Sequence, residues 1–264
     1  MGLIKNLRLA RETLRIVRTG GYCVAGERVA LPAVDFAAVE VVSPDLECRA
    51  LGEREAPMCR FEVVNADSFQ AAADLPRPVV MNFANAHVAG GGFWLGATAQ
   101  EEALCRNSTL YASIASKTAA RMYWTNNFRP RRVESDCLLY SPNVVVFRDA
   151  GGNLLTRPYP VAVVSAPAPN RRGFAVFAST RRIREAMKRR MRMIFQVAHD
   201  HGHRHLVLGA WGCGAFGNPP AEVAEDFRRV LVDEGFGRAF ELIRFAIYGT
   251  PRSRNLKTFT TVFV

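Results

Sequence analysis

The sequence predicts an α/β domain built on a largely parallel central sheet, flanked by helices. Two observations carry this. Continuous apolar runs of strand length, VVMNFANA (79–86), VAVVSAPAPN (161–170) and HLVLGA (205–210), have the pattern of strands buried on both faces. Between such runs lie segments of helical period. Taken in order, LIKNLRLARETLRIVRTGGY is an amphipathic helix with Leu3, Leu7, Leu14 and Val17 on one side, stopped by Gly20 and Gly21. Residues 22–60 are mixed, with a short alternating run at Val39 to Val42. FEVVNADSF is a strand running into a turn, and SFQAAADL a short helix. After VVMNFANA, Thr98 to Ile114 has the spacing of one helix, with Leu104, Leu110, Tyr111 and Ile114 on a face. LLYSPNVVVFRDAGGNLL is a β-excursion turning at Gly151–Gly152. STRRIREAMKRRMRMIFQVAHDHG is the clearest helix, with Ser179 as N-cap, a stripe of Ile183, Met187, Ile194 and Val197, and Gly202 as terminator. Asn218–Pro219 opens a helix through Val223, Phe227 and Val230, and FELIRFAIYG is the last strand.

The composition of the 264 residues is ordinary for a globular chain except in charge, 35 Lys+Arg against 24 Asp+Glu giving +11. Such a surplus attracts polyanions and also keeps a protein soluble. No apolar run reaches the roughly 18 residues a bilayer span needs, and no leader pattern is present. The six cysteines (Cys23, Cys48, Cys59, Cys105, Cys137, Cys213) include no CxxC pair. The expectation is a cytoplasmic protein with reduced thiols, no metal site, no cofactor and no membrane contact.

Two glycine-rich loops follow strands. Gly90–Gly91–Gly92 comes after VVMNFANA, and WGCGAFGN (211–218) after HLVLGA. In open α/β sheets ligands settle beyond the carboxyl ends of strands, and glycine loops with free N–H groups favour phosphate oxygens. Neither loop has the Walker or GxGxxG pattern. Three consecutive glycines exceed what a turn needs and suggest a backbone pressed against something other than protein. Shortly after them stand Gln100, Glu101 and Glu102. Thr98 with Glu101 fits a capping box, which leaves Glu102 unexplained. Adjacent helical residues diverge by about 100°. One acid can therefore orient a substrate while the other transfers a proton. A carboxyl desolvated beside such a loop, near Phe93 and Trp94, has the raised pKa that a general acid at a glycosidic oxygen requires.

GGG followed by QEE after seven residues resembles the motif of the poly(ADP-ribose) glycohydrolases. YSPNVVVFRD (140–149), SAPAPN (165–170), VLGAWGCGAFGNPP (207–220) and RLARETLRIVRTGGY (8–22) resemble the microbial branch of that family. The resemblance covers most of the chain and is weakest over residues 25–60. It implies a macrodomain-like fold, with residues 1–60 as an N-terminal extension on a 61–264 core that binds ADP-ribose. It implies Glu102 as catalytic acid/base and Glu101 as holder of the ribose hydroxyls. Asn85 would contact that ribose, with Gly90, Gly91, Gly92 and Gln100 along the same wall. Gly214 and Ala215 would line the diphosphate, with Gly212 and Cys213 in the same substrate-binding loop, and Phe216 would pack on ribose and close the site. Asp67 stands where macrodomains place an adenine-contacting Asp, although Ala66 replaces the usual Gly and a turn-forming Asp reads as well.

The activity so implied is hydrolysis of the ribose–ribose bond in poly(ADP-ribose), with ADP-ribose as product. A macrodomain that binds without cleaving would lack the second Glu, which is present here. Removal of single ADP-ribose units from modified protein or nucleic acid uses the same cradle. Direct nucleic-acid binding through the basic run Arg181–Arg192 is disfavoured against a solvated helical face.

Overall fold

Five parallel strands whose carboxyl ends meet at one edge form the frame of the molecule. The computed structural model describes residues 2–51, 58–128 and 131–264; residues 52–57, at the end of the expected N-terminal extension, lie outside it. The strands of the main sheet are β3 (Glu40–Val42), β4 (Arg60–Val64), β5 (Val79–Ala84), β6 (Leu138–Arg148), β7 (Leu154–Pro167), β8 (His205–Leu208) and β9 (Leu242–Ala246). They stand in the order β3-β6-β7-β5-β8-β9-β4. From β7 to β4 every pairing is parallel, whereas β3 and β6 attach antiparallel. The expected mixed, largely parallel sheet is present. A separate hairpin, β1 (Gly21–Val24) with β2 (Glu27–Ala30), turns at Ala25–Gly26, both at positive φ.

Side chains alternate across β5, and that alternation makes two cores. Val79 and Met81 enter one with α5 (Thr180–Asp200), α6 (Pro220–Arg228) and α7 (Arg254–Phe263), represented by Met187, Phe227 and Phe259. Val80 enters the other with α2 (Gln100–Asn107), α3 (Leu110–Ile114) and α4 (Ala120–Phe128), represented by Leu104, Leu110 and Met122. Each such side chain withdrawn from water contributes about 1.5–3 kcal/mol.

The first helix, α1 (Leu3–Thr19), is present, but its inner face differs from the expected stripe. Leu3 is 61% exposed, and the buried positions are Asn6, Leu9, Ala10, Thr13 and Ile16. Asn6 Nδ2 donates to the Gly96 carbonyl at 2.8 Å and Thr13 Oγ1 to the Arg106 carbonyl at 2.6 Å. Hydrophobic periodicity misplaces a helix docked through polar side chains. The helix expected over Thr98–Ile114 is two. Ser108 is extended and bridges Val146, while Thr109 Oγ1 accepts from the Val145 amide at 3.0 Å, so the backbone turns to the sheet between α2 and α3.

The basic run on α5 is partly a solvated face, with Arg181, Arg182 and Arg189 exposed, and largely paired. Arg184 meets Asp226, Arg189 and Arg190 share Asp136, and Arg192 meets Glu234. Arg190 is fully buried, donating to Asp136, to Pro167 O at 2.8 Å and to Val133 O. It thereby ties the end of β7 to the segment that enters β6.

Candidate active site

The end of β5 and the start of α2 bring the two carboxylates under the glycine loop. Helix α2 begins at Gln100 with Ala99 as N-cap, so the expected Thr98 capping box does not form. Glu101 turns inward instead. Its Oε2 accepts from the Asn85 amide at 2.8 Å and its Oε1 from Asn82 Nδ2 at 3.3 Å. Glu101 is 3% exposed, and burial pushes its carboxyl up to about 8. The Asn85 and Asn82 bonds pull the other way, and Glu102 adds like-charge repulsion.

Glu102 is 7% exposed and held from one side only. Its Oε1 accepts from the Gly92 amide at 2.8 Å, while its buried Oε2 has no partner among the described residues. The glycines press first on protein, contrary to the expectation that they face only a ligand. A Cβ on Gly91, whose φ is +53°, would stand 2.6 Å from Glu102 Oε1 and 3.1 Å from Glu101 Oε2. The loop lies on the acids themselves. Phe93 beneath it is fully buried and stacked on Tyr111 at 4.5 Å, and Trp94 Nε1 bonds to the Tyr111 hydroxyl at 2.7 Å. One face of the loop is thus fixed.

Gln100, Asn85 and Asp67 are each partly engaged by protein. Gln100 Oε1 accepts from the Phe83 amide, and its Nε2 donates to Ser68 Oγ and Met81 O, which anchors α2 to β5. Asn85 Oδ1 accepts from the His87 and Val88 amides, so only its Nδ2 donors remain for a ribose. Asp67 Oδ1 caps the turn at Phe69 and Gln70, as a turn-forming Asp would. Its buried Oδ2 has no partner among the described residues, and the residue lines the cleft.

That cleft holds about 800 Å³ and runs along the carboxyl ends of β8, β9 and β4, walled by Asp67, Phe83, Gln100, Phe216 and Tyr248. It extends under α2 to Lys5, Asn6 and Arg106. Glu101 and Glu102 stand behind its wall, covered by the glycine loop. The second loop forms the cleft's opposite lip. Gly212, at φ +71°, has Asn218 Nδ2 where a Cβ would be, at 2.6 Å. Asn218 does not cap α6, whose N-cap is Pro219; its Nδ2 donates to Pro169 O at 2.9 Å and so closes the loop. Gly214 and Ala215 are exposed at the tip, Phe216 is half-buried, and no described residue accepts from these three amides. Cys213 sits half-buried behind them, with its thiol pushed up to about 12 by burial. Free amides facing a cleft are the donors a diphosphate needs.

Residues 10–149 match the profile of the microbial-type PARG catalytic domain, PARG being poly(ADP-ribose) glycohydrolase. The chain belongs to the microbial-type poly(ADP-ribose) glycohydrolase family. Among solved structures it is similar to poly(ADP-ribose) glycohydrolase from Thermomonospora curvata, at 36% identity over 98% of this chain and 99% of that one, with a TM-score of 0.89. The same protein bound to the inhibitor ADP-HPD matches at 35% identity, over the same shares, with a TM-score of 0.86. The Deinococcus radiodurans glycohydrolase in complex with ADP-ribose matches at 38% identity over 79% of this chain and 85% of that one, with a TM-score of 0.73. A search among curated protein sequences gave no significant match.

In this member of the glycohydrolase family, two further residues bear on the acids that the sequence did not single out. Asn82 is a buried polar residue inside an apolar strand, bonded to Glu101 and to Ser165 Oγ at 3.0 Å. Its signal was there, since a central strand tolerates such a side chain only with partners. Arg106 lies one helical turn after Glu102, is buried, and donates to Ala97 O at 2.6 Å. Burial lowers its pKa while the charge of Glu102 opposes that. Among the described residues, no group of three His, Cys, Asp or Glu is placed to hold a metal ion. None of their helices is long and apolar enough to cross a membrane.

The raised Glu101 pKa has a measurable consequence. Between about pH 4.5 and 8 the folded state holds a proton that the unfolded chain has lost, so stability falls as pH rises through that window. The contribution is complete below 4.5 and gone above 8. Glu101→Gln is expected to flatten this fall in denaturant midpoint against pH; parallel profiles for the two proteins would refute the assignment.

Proposed function

We propose that this protein is a poly(ADP-ribose) glycohydrolase that cleaves the ribose–ribose glycosidic bond and releases ADP-ribose. The observation that carries the mechanism is Glu102 itself, buried, pinned through Oε1 by the Gly92 N–H, and with an unpartnered Oε2. Of the two oxygens it is the one that no described residue engages, so the proton exchange with substrate is assigned to it.

Terminal ADP-ribose enters the 800 Å³ cleft with its diphosphate on the amides of Gly214, Ala215 and Phe216, and its distal ribose turned to the glycine loop. Glu101, carrying its proton near neutral pH, both donates to and accepts from ribose hydroxyls. Glu102 Oε2 delivers a proton to the oxygen of the scissile bond as positive charge grows on the anomeric carbon. The C–O bond breaks, and the departing ribose leaves with a hydroxyl. The Glu102 carboxylate then takes a proton from the water that attacks the anomeric carbon, which restores the acid. One carboxyl handles both proton steps, unlike the usual two-carboxylate glycosidase plan. Positioning and electrostatics supply the remainder of the rate.

Incubation of the purified protein with defined-length poly(ADP-ribose) in chelator should release free ADP-ribose. Tight binding of ADP-ribose with no release from polymer would overturn the glycohydrolase reading in favour of a binding module.

A further inference from the structure

We propose that a basic and aromatic shelf beside the acids holds the departing part of the polymer, taking the adenine and diphosphate of the ADP-ribose unit next to the scissile bond. The proposal rests on the glycohydrolase reading and extends it to the leaving-group side.

Sheet order supplies the first argument. The cleft lies mainly on the β8, β9 and β4 side of the β5 end, where Glu101 and Glu102 stand, and reaches the end of β7 only at Ala168. On the other side of β5 comes the end of β7. Because β6 is antiparallel, with Leu139 opposite Ser165, the segment that enters β6 reaches the same edge. A polymer whose terminal unit lies in the cleft therefore leaves the acids toward β7 and β6.

That surface has the chemistry of a nucleotide site. After β7 comes a 3₁₀ turn, Phe174–Phe177, whose two end residues are 59% and 69% exposed. Before β6 stand Arg131 and Arg132, both exposed. Together these four side chains line a hollow of about 290 Å³. No carboxylate among the described residues pairs with either arginine; Arg132 Nη1 donates to Phe177 O at 2.9 Å. Two phenyl rings offer stacking faces to a base, and two unneutralised guanidiniums offer a diphosphate its counter-charge. An acidic peptide would use the arginines but leave exposed phenyl rings unexplained.

The shelf is also built to hold position and joined to the site. Arg190, fully buried, bonds Pro167 O on one of its segments and Val133 O and Asp136 on the other. Toward the acids, Glu101 takes the Asn85 amide, Asn85 Oδ1 takes the His87 amide, and His87 Nδ1 meets Asn127 Oδ1 at 2.9 Å, on the helix that leads to Arg131. The departing hydroxyl belongs to the ribose that carries the next adenine, so the adjoining nucleotide must lie on protein here or in water.

The test compares two ligands in the Glu102→Gln protein, which leaves polymer uncleaved. Arg131→Ser/Arg132→Ser and Phe174→Ser/Phe177→Ser are each expected to weaken binding of a two-unit ADP-ribose oligomer roughly tenfold or more, with monomeric ADP-ribose unchanged. The arginine pair should also lower the salt dependence of oligomer binding. Phe174→Tyr/Phe177→Tyr should restore affinity, because stacking survives. With Glu102 present, the same changes should raise KM for polymer and leave kcat, and turnover of an ADP-ribose with a nitrophenyl leaving group, as they were. Equal affinity for the oligomer in all variants overturns the shelf. So does a parallel loss for oligomer and monomer, which would mean an effect through the fold. A wild-type protein that fails to cleave polymer would instead overturn the glycohydrolase reading, since oligomer binding is measured without cleavage.

Discussion

Glu102→Gln is expected to lower ADP-ribose release from poly(ADP-ribose) by about 10²–10⁴-fold or more while leaving ADP-ribose affinity near its wild-type value. The carboxamide keeps an oxygen for the Gly92 amide and similar volume, so the loop above it stays in place. What it lacks is a transferable proton. Initial rates on polymer and a titration with ADP-ribose separate the two effects. Release at a wild-type rate would move the acid/base role elsewhere, with Glu101 the next group to test.

Gly91→Ala should be nearly as severe for a different reason. The added methyl carbon would sit 2.6 Å from Glu102 Oε1, and φ of +53° is unfavourable to any residue with a Cβ. The backbone conformation alone costs about 1–2 kcal/mol. Relief of the contact displaces the Glu102 carboxylate, and a shift near 1 Å at a reacting group costs on the order of 10²-fold in rate. The expected result is a folded protein with kcat/KM for polymer reduced by that order and a modestly lower thermal midpoint. Unchanged kcat/KM would show that the acids tolerate movement of the loop.

Much of this arrangement is legible in the amino-acid order. The buried strands VVMNFANA, VAVVSAPAPN and HLVLGA stand as expected at the sheet centre, because their apolar runs leave no other state. Ser179 caps α5, accepting from the Arg182 amide at 3.3 Å. Other features depend on contacts that no local pattern encodes. Helix α7 carries Thr260, Thr261 and Val262, poor helix formers, and stands because Phe259 is buried against Phe245 at 5.2 Å. The break between α2 and α3 exists because Ser108 finds Val146 across the fold. At the site, the QEE and glycine signals placed the acids correctly on a helix start, but the capping box was a false lead. Glu101 spends its oxygens on β5, and a sequence does not show which backbone amide a carboxylate will meet.

The polar docking of α1 has a consequence in time. Its inward side chains reach Gly96, Arg106 and Arg148, partners 90 to 136 residues further along the chain. At a synthesis rate of about 5–20 residues per second, this helix waits on the order of ten seconds at the ribosome before Arg148 exists. Asn6 and Thr13 lack these partners meanwhile, and the stripe of Leu3, Leu7, Leu14 and Val17 lies open to neighbouring nascent chains. Docking then joins Gly96 and Arg106, which flank Glu101 and Glu102 in sequence, to the newly made β6. The fixing of α1 is thus tied to the emergence of the chain's middle, and a molecule stalled before Arg148 cannot complete it.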